Sequence, residues 1–169
     1  KSLRLLLENT RKPIWILSTS TQTLRYQLEM LEIIAGSKKN ILAGRTQGSG
    51  IVSIIPQLIL PDADIERALL YAEYNLPIRV TSCTVFGGNS PFTIAGSLTQ
   101  INAELLGTIA LMQTIKLGLP VFYYADLAVM NMRSAAIQYN CPELQLAYAA
   151  LVQLARRYRI PCSPKILAV

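Results

Sequence analysis

The stretch TSCTVFGGNSPFTIAG, residues 81–96, runs from a β-like segment through Gly87, Gly88, Asn89, Ser90 and Pro91 into a helical pattern. A glycine turn between strand and helix suits a ligand. Glycine lets the backbone approach without a Cβ, and a helix N-terminus presents free N–H groups. Thr93 adds a hydroxyl in the first turn. Neither phosphate fingerprint is there: the segment lacks both GxxxxGK[ST] and GxGxxG. On these residues alone two readings stand, a ligand loop or a plain turn with Pro91 at the first helical position. Phe86, Tyr123 and Tyr124 fall at the ends of β-like runs, on the side where such loops gather. Their rings could face a cation or pack a core. Arg133 lies further on; its planar fork suits a carboxylate or a phosphate, or a loop-fixing ion pair.

Much other chemistry is excluded. The chain has no histidine, which removes Ser-His-Asp and Cys-His catalysis and any histidine-bound metal. Cys83, Cys141 and Cys162 have no CxxC spacing and read as thiols of a reducing, cytoplasmic compartment; no metal site is expected. The net charge of +6 is scattered, and only Arg156, Arg157 and Arg159 cluster, at the end of a helical pattern where cations favour the helix dipole. No aromatic–basic interleaving points to nucleic acid. The uncharged run Val80–Ala103 exceeds a membrane span but contains Gly87, Gly88, Asn89, Ser90 and Pro91, so no membrane segment is expected.

Apolar β-type runs and helical patterns alternate. PIWILS (13–18) precedes a helix near 21–36, and GIVSII (50–55) one near 62–74 with Asp62 as N-cap. PIRVTS (77–82) leads through the glycine loop to a helix near 92–116; PVFYY (120–124) leads through a long loop to one near 142–158. IPCS begins a fifth strand. Ile94, Leu98, Ile101, Leu105, Ile109 and Met112 form one apolar stripe; Leu144, Ala147, Leu151, Leu154 and Tyr158 form another. Pro77, Pro120 and Pro161 each open a strand, 43 and 41 residues apart, so one strand–loop–helix unit repeats. The fold class is α/β, a single segment over 1–169 with parallel strands covered by helices. An open doubly wound sheet and part of a (β/α)₈ barrel both fit.

The wider segment GGNSPFTIAGSLTQINAELLG resembles the trimethylamine:corrinoid methyltransferase family, whose Gly-x-x-x-Pro-x-Thr-x-Ala-Gly pattern is met by Gly87, Pro91, Thr93, Ala95 and Gly96. NAELLG (102–107), QTIKLGLPVFYY (113–124), MNMRS (130–134) and CPELQLAYAALVQLARRYRIP (141–161) continue the likeness. Asn131 stands where the family usually has Asp, Ala135 where it has Gly, and Tyr124 where it has Gly.

The resemblance implies a TIM barrel, of which this chain is about half: four strand–helix units and the start of a fifth. It implies a fragment, homo-oligomeric when full length. Half a barrel leaves unpaired edges, so the chain alone is expected to fold poorly and self-associate. The implied activity is methyl transfer from trimethylamine or a related methylated amine to the cobalt of a corrinoid (cobalamin) carried by a partner protein. The family's pyrrolysine position is expected beyond Val169. On this reading Phe86, Tyr123, Tyr124 and Arg133 bind substrate, while Gly87, Gly88, Asn89, Ser90 and Thr93 face the cofactor. Two alternatives stand beside it: a flavodoxin-like FMN-binding domain, and an inactive structural remnant.

Overall fold

The computed structural model describes residues 2–163. Its elements are α1 (Ser2–Asn9), β1 (Ile14–Trp15), α2 (Thr21–Ala35), α3 (Lys38–Leu42), β2 (Gly48–Ile54), α4 (Asp62–Glu73), β3 (Ile78–Phe86), α5 (Ile94–Ile115), β4 (Val121–Met130), β5 (Ile137–Gln138) and α6 (Pro142–Tyr158). The strand order is β1-β2-β3-β4-β5. β1 pairs with β2 in parallel, β5 with β4 antiparallel, and Cys162 makes a parallel bridge to Tyr123. That isolated bridge falls within IPCS, where the sequence predicts the beginning of a fifth strand. Among the described residues the strand order does not reverse and so shows no switch point of the kind an open doubly wound fold uses to hold a nucleotide. The architecture is α/β, parallel-dominated and compatible with part of a barrel.

Two compact units divide the chain. The first holds Lys1–Val52, Asp62–Arg79 and Met112–Pro120; the second holds Ser53–Pro61, Val80–Leu111 and Val121–Val169. In the first, Ser20 caps α2 by accepting from Thr23 N at 3.1 Å, and Gly36, at φ 80°, closes the helix. Leu24, Leu28 and Leu31 of α2 are buried, as are Ala68 and Tyr71 of α4. β2 meets these helices at glycines: a Cβ on Gly50 would stand 2.5 Å from the Tyr71 ring. That close approach explains a glycine inside a strand.

In the second unit, Ile101, Leu105 and Ile109 of α5 are buried, with Leu144, Ala147, Tyr148 and Leu151 of α6. Each fully buried aliphatic side chain contributes about 1.5–3 kcal/mol. Arg156 and Arg157 occupy the last turn of α6, where the helix dipole favours them.

Several boundaries differ from the sequence expectation. Asp62 is the first residue of α4 rather than its cap. β3 and β4 run on to Phe86 and Met130. The segment expected as a loop after Tyr124 therefore continues as strand, held at its end by Val129↔Gln138 and Met130↔Ile137. Pro91 lies upstream of α5 rather than at its first position.

Candidate functional site

The turn between β3 and α5 is closed by its own side chains. Asn89 Oδ1 accepts from Val85 N at 2.7 Å, and its Nδ2 donates to the Cys83 carbonyl at 3.2 Å. Ser90 Oγ donates to the Val85 carbonyl at 3.2 Å and lies 2.6 Å from Ser97 Oγ. Thr93 is the N-cap: its carbonyl accepts from Ser97 N at 3.0 Å and its hydroxyl from Gly96 N at 3.2 Å. Its hydroxyl is therefore engaged in capping rather than held open in the first turn.

The two glycines serve this turn as well. Gly87 has φ 78°, and a Cβ there would stand 2.7 Å from Phe92 Cδ2. A Cβ on Gly88 would stand 3.0 Å from Met130 Cε and 3.1 Å from Val85 Cγ1. A side chain at Gly88 would therefore be crowded by Met130 and Val85.

Beside the turn lies a cleft of about 390 Å³. Phe86, Phe92, Met130 and Met132 line it together with Arg133, Cys141 and Glu143. Strand β4 delivers Met130, and a tight turn delivers Arg133. In that turn Asn131 Oδ1 accepts from Arg133 N at 3.0 Å and from Ser134 N at 3.3 Å. Asn in place of the family's usual Asp keeps this acceptor. Ala135 takes φ 54°, a conformation that favours the glycine usual there. Cys141 precedes α6 and Glu143 sits in its first turn. Burial pushes the Cys141 thiol up, and the neighbouring Glu143 carboxylate adds to the shift.

Phe86, Gly87, Gly88 and Arg133 thus converge on one place. The two tyrosines do not. Tyr123 and Tyr124 lie inside β4, not at its end, and their adjacent positions put them on opposite faces. Tyr123 is fully buried; its hydroxyl donates to Asn102 Oδ1 at 2.9 Å and its ring lies 6.3 Å from that of Tyr158. Burial pushes its phenol pKa well up. Tyr124 shares its face of β4 with Asp126, as Thr81, Cys83 and Val85 share the face of β3 turned from α5.

Sequence reasoning missed Phe92, Met130, Met132, Cys141 and Glu143. A clue lay in the nearly continuous apolar run FYYADLAVM, which could have been read as strand as far as Met130. It also missed Glu104, a fully buried carboxylate on α5. There the signal was an acid three residues after Ile101, within the apolar stripe.

The family model of trimethylamine methyltransferase (MTTB) matches residues 2–166. Glycine betaine methyltransferase of Desulfitobacterium hafniense (strain Y51) is 34% identical over 134 residues, covering 79% of this chain and 28% of that protein. Trimethylamine methyltransferase MttB of Desulfitobacterium hafniense (strain DSM 10664 / DCB-2) is 28% identical over 156 residues, 92% of this chain and 31% of that protein. MttB of Methanosarcina barkeri (strain Fusaro / DSM 804) is 36% identical over 90 residues, 53% of this chain and 18% of that protein. The chain spans less than a third of the length of these relatives. Because the family match includes both the Gly87–Thr93 turn and the Met130–Ser134 turn around the cleft, and runs from residue 2 to residue 166, the chain belongs to the trimethylamine methyltransferase family.

Proposed function

We propose that this chain forms part of a (β/α)₈-barrel methyltransferase that moves a methyl group from trimethylamine or a related methylated or quaternary amine to a corrinoid carried by a separate protein. The observation that carries this reading is the cleft of Phe86, Phe92, Met130 and Met132, with Glu143 and Arg133 beside it. A quaternary ammonium wears its charge beneath methyl groups and has no proton to donate. Aromatic faces and a nearby carboxylate attract such an ion, where a hydrogen-bond acceptor alone would not. Arg133 is suited to the acid end of a betaine. The names of the relatives, trimethylamine and glycine betaine methyltransferases, support the same class of substrate. The unreversed strand order supports the barrel.

A reduced corrinoid, when its carrier is docked, would supply the methyl acceptor. The residues that fit such a partner follow the carboxyl ends of β2, β3 and β4. Ile55, Leu58 and Ile59 are exposed after β2, Phe92 after β3, and Met132, Ile137 and Tyr139 after β4. Large apolar side chains left exposed in neighbouring loops suit a protein contact. A cytoplasmic homo-oligomer is part of this proposal.

The test is methyl transfer by the full-length protein that contains this segment, supplied with a reduced corrinoid protein and followed by visible absorbance. Trimethylamine or a betaine should be demethylated, and Phe86→Leu should raise KM several-fold. No transfer from any methylated amine, or a flavin bound to the purified protein, overturns the reading.

A further inference from the structure

Glu104 is fully buried on α5, and the cleft does not use it. No described ion pair includes it. Its oxygens are met by neutral groups instead. Ser82 Oγ donates to Oε2 at 2.6 Å, and Gln100 Nε2 donates to Oε1 at 2.9 Å. Ser82 Oγ also lies 2.7 Å from Thr84 Oγ1. Ser82 has a single proton and gives it to Glu104, so Thr84 must donate to Ser82. Gln100 Nε2 has two, and the second goes to the Asn89 carbonyl at 3.2 Å. Ser82 and Gln100 both donate to the carboxylate, and the Gln100 amide also links it to the Asn89 backbone.

We infer that Glu104 is a positioning residue: by fixing which end of the Gln100 amide faces inward, it anchors Asn89 and with it the Gly87–Ser90 turn that backs the cleft. The amide of Gln100 could face either way on size alone. A carboxylate beside it accepts only the NH₂ end, and only that end can also reach a carbonyl oxygen. The anchored turn lies close beside the cleft lining: a Cβ on Gly87 would meet Phe92 and Met132, and one on Gly88 would meet Met130. The fixed turn stands on these contacts; its effect on an ammonium ligand rests on the function proposed above.

Glu104→Gln separates this role from simple packing, because it keeps size and shape. With Ser82 still donating, as it does to Glu104, the new amide offers it its oxygen and turns its NH₂ to Gln100. Gln100 then turns its oxygen inward and Asn89 loses its donor. In the intact enzyme, amide hydrogen exchange at Gly87, Gly88 and Asn89 should speed up at least about tenfold, the worth of roughly one hydrogen bond. Gln100→Leu should do the same if Glu104→Gln folds poorly. Ile101→Val, which loosens the same helix without touching an amide, should leave those three amides protected. Tetramethylammonium binding should weaken about fivefold in Glu104→Gln and not in Ile101→Val, a split set by the cation–ring contacts. Unchanged exchange in Glu104→Gln and Gln100→Leu, or equal acceleration in Ile101→Val, overturns the inference. Failure of the unsubstituted enzyme to bind tetramethylammonium counts against the proposed function instead, and the exchange readout still decides this one.

Discussion

Gly87 and Phe92 close on each other so tightly that a Cβ on Gly87 would stand 2.7 Å from the ring edge. The backbone there is at φ 78°, which costs any other residue about 1–2 kcal/mol before the collision is counted. Gly87→Ala should therefore destabilise the protein by about 2–3 kcal/mol, read as a lower denaturation midpoint. Gly88→Ala meets the flexible end of Met130 at 3.0 Å and should cost less. Equal costs would mean that the turn does not depend on the left-handed residue.

The other left-handed position of the site runs the opposite way. Ala135 sits at φ 54° in the turn that carries Arg133. Ala135→Gly should relieve that strain and raise stability by about 0.5–1 kcal/mol, partly offset by the added freedom of the unfolded chain. A lower midpoint in this variant would show that the Ala135 methyl packs against something that outweighs the strain.

What the sequence made legible follows from range. α6 reads correctly to its ends because Pro142, the Leu144–Ala147–Leu151 stripe and the terminal arginines are all local signals. β4 reads five residues long instead of ten because its second half depends on partners that composition does not reveal. One is the short β5; another is the Tyr148 hydroxyl, which lies 3.1 Å from Leu127 N. The motifs that flank Phe86 and Arg133 marked both positions, and the structure lines one cleft with them. The capping of Thr93 and the filled space beside Gly88 were not legible, since each depends on where a neighbouring side chain folds back.

Tyr71 gives a pH-dependent test of the first unit. Burial pushes its phenol up to about 12, and its hydroxyl donates to the Ile16 carbonyl at 3.3 Å. A raised folded pKa means that the unfolded chain releases its proton first, near pH 10. The contribution is therefore complete below about pH 10 and lost as pH rises towards 12, by about 2 kcal/mol. Tyr71→Phe should flatten this alkaline loss. Tyr74, also pushed up to about 12 chiefly by burial, should leave a residual slope. An identical alkaline profile in Tyr71→Phe would remove Tyr71 as its source.

Tyr123 makes a contrasting prediction, because its hydroxyl serves Asn102 and its ring faces Tyr158. Tyr123→Phe leaves Asn102 Oδ1 without this donor and should cost about 1–2 kcal/mol of stability. Substrate KM should stay within twofold, a change under about 0.5 kcal/mol. A large rise in KM with stability intact would move Tyr123 from the packing between β4, α5 and α6 into the binding site.

The cleft itself should separate ligands by charge. Phe92 is exposed, and its ring could cover the methyl groups of any quaternary ammonium, with or without an acid tail. Phe92→Leu should therefore weaken tetramethylammonium and glycine betaine alike, by about 0.5–2 kcal/mol. Arg133 is exposed on the same cleft and concerns only the acid end. Solvent screening limits an exposed pair to about 0.5–1 kcal/mol, so Arg133→Met should weaken betaine two- to fivefold. The same change removes a like charge from beside the cation, so tetramethylammonium should bind no worse and slightly better. Glu143→Gln should reverse that pattern, weakening tetramethylammonium more than the zwitterion, whose own carboxylate it no longer repels. Titration calorimetry on the intact enzyme reads all three variants with both ligands. Equal losses for both ligands in Arg133→Met would sink the assignment of the guanidinium to the acid end and leave the rings as the cleft's only recognition element.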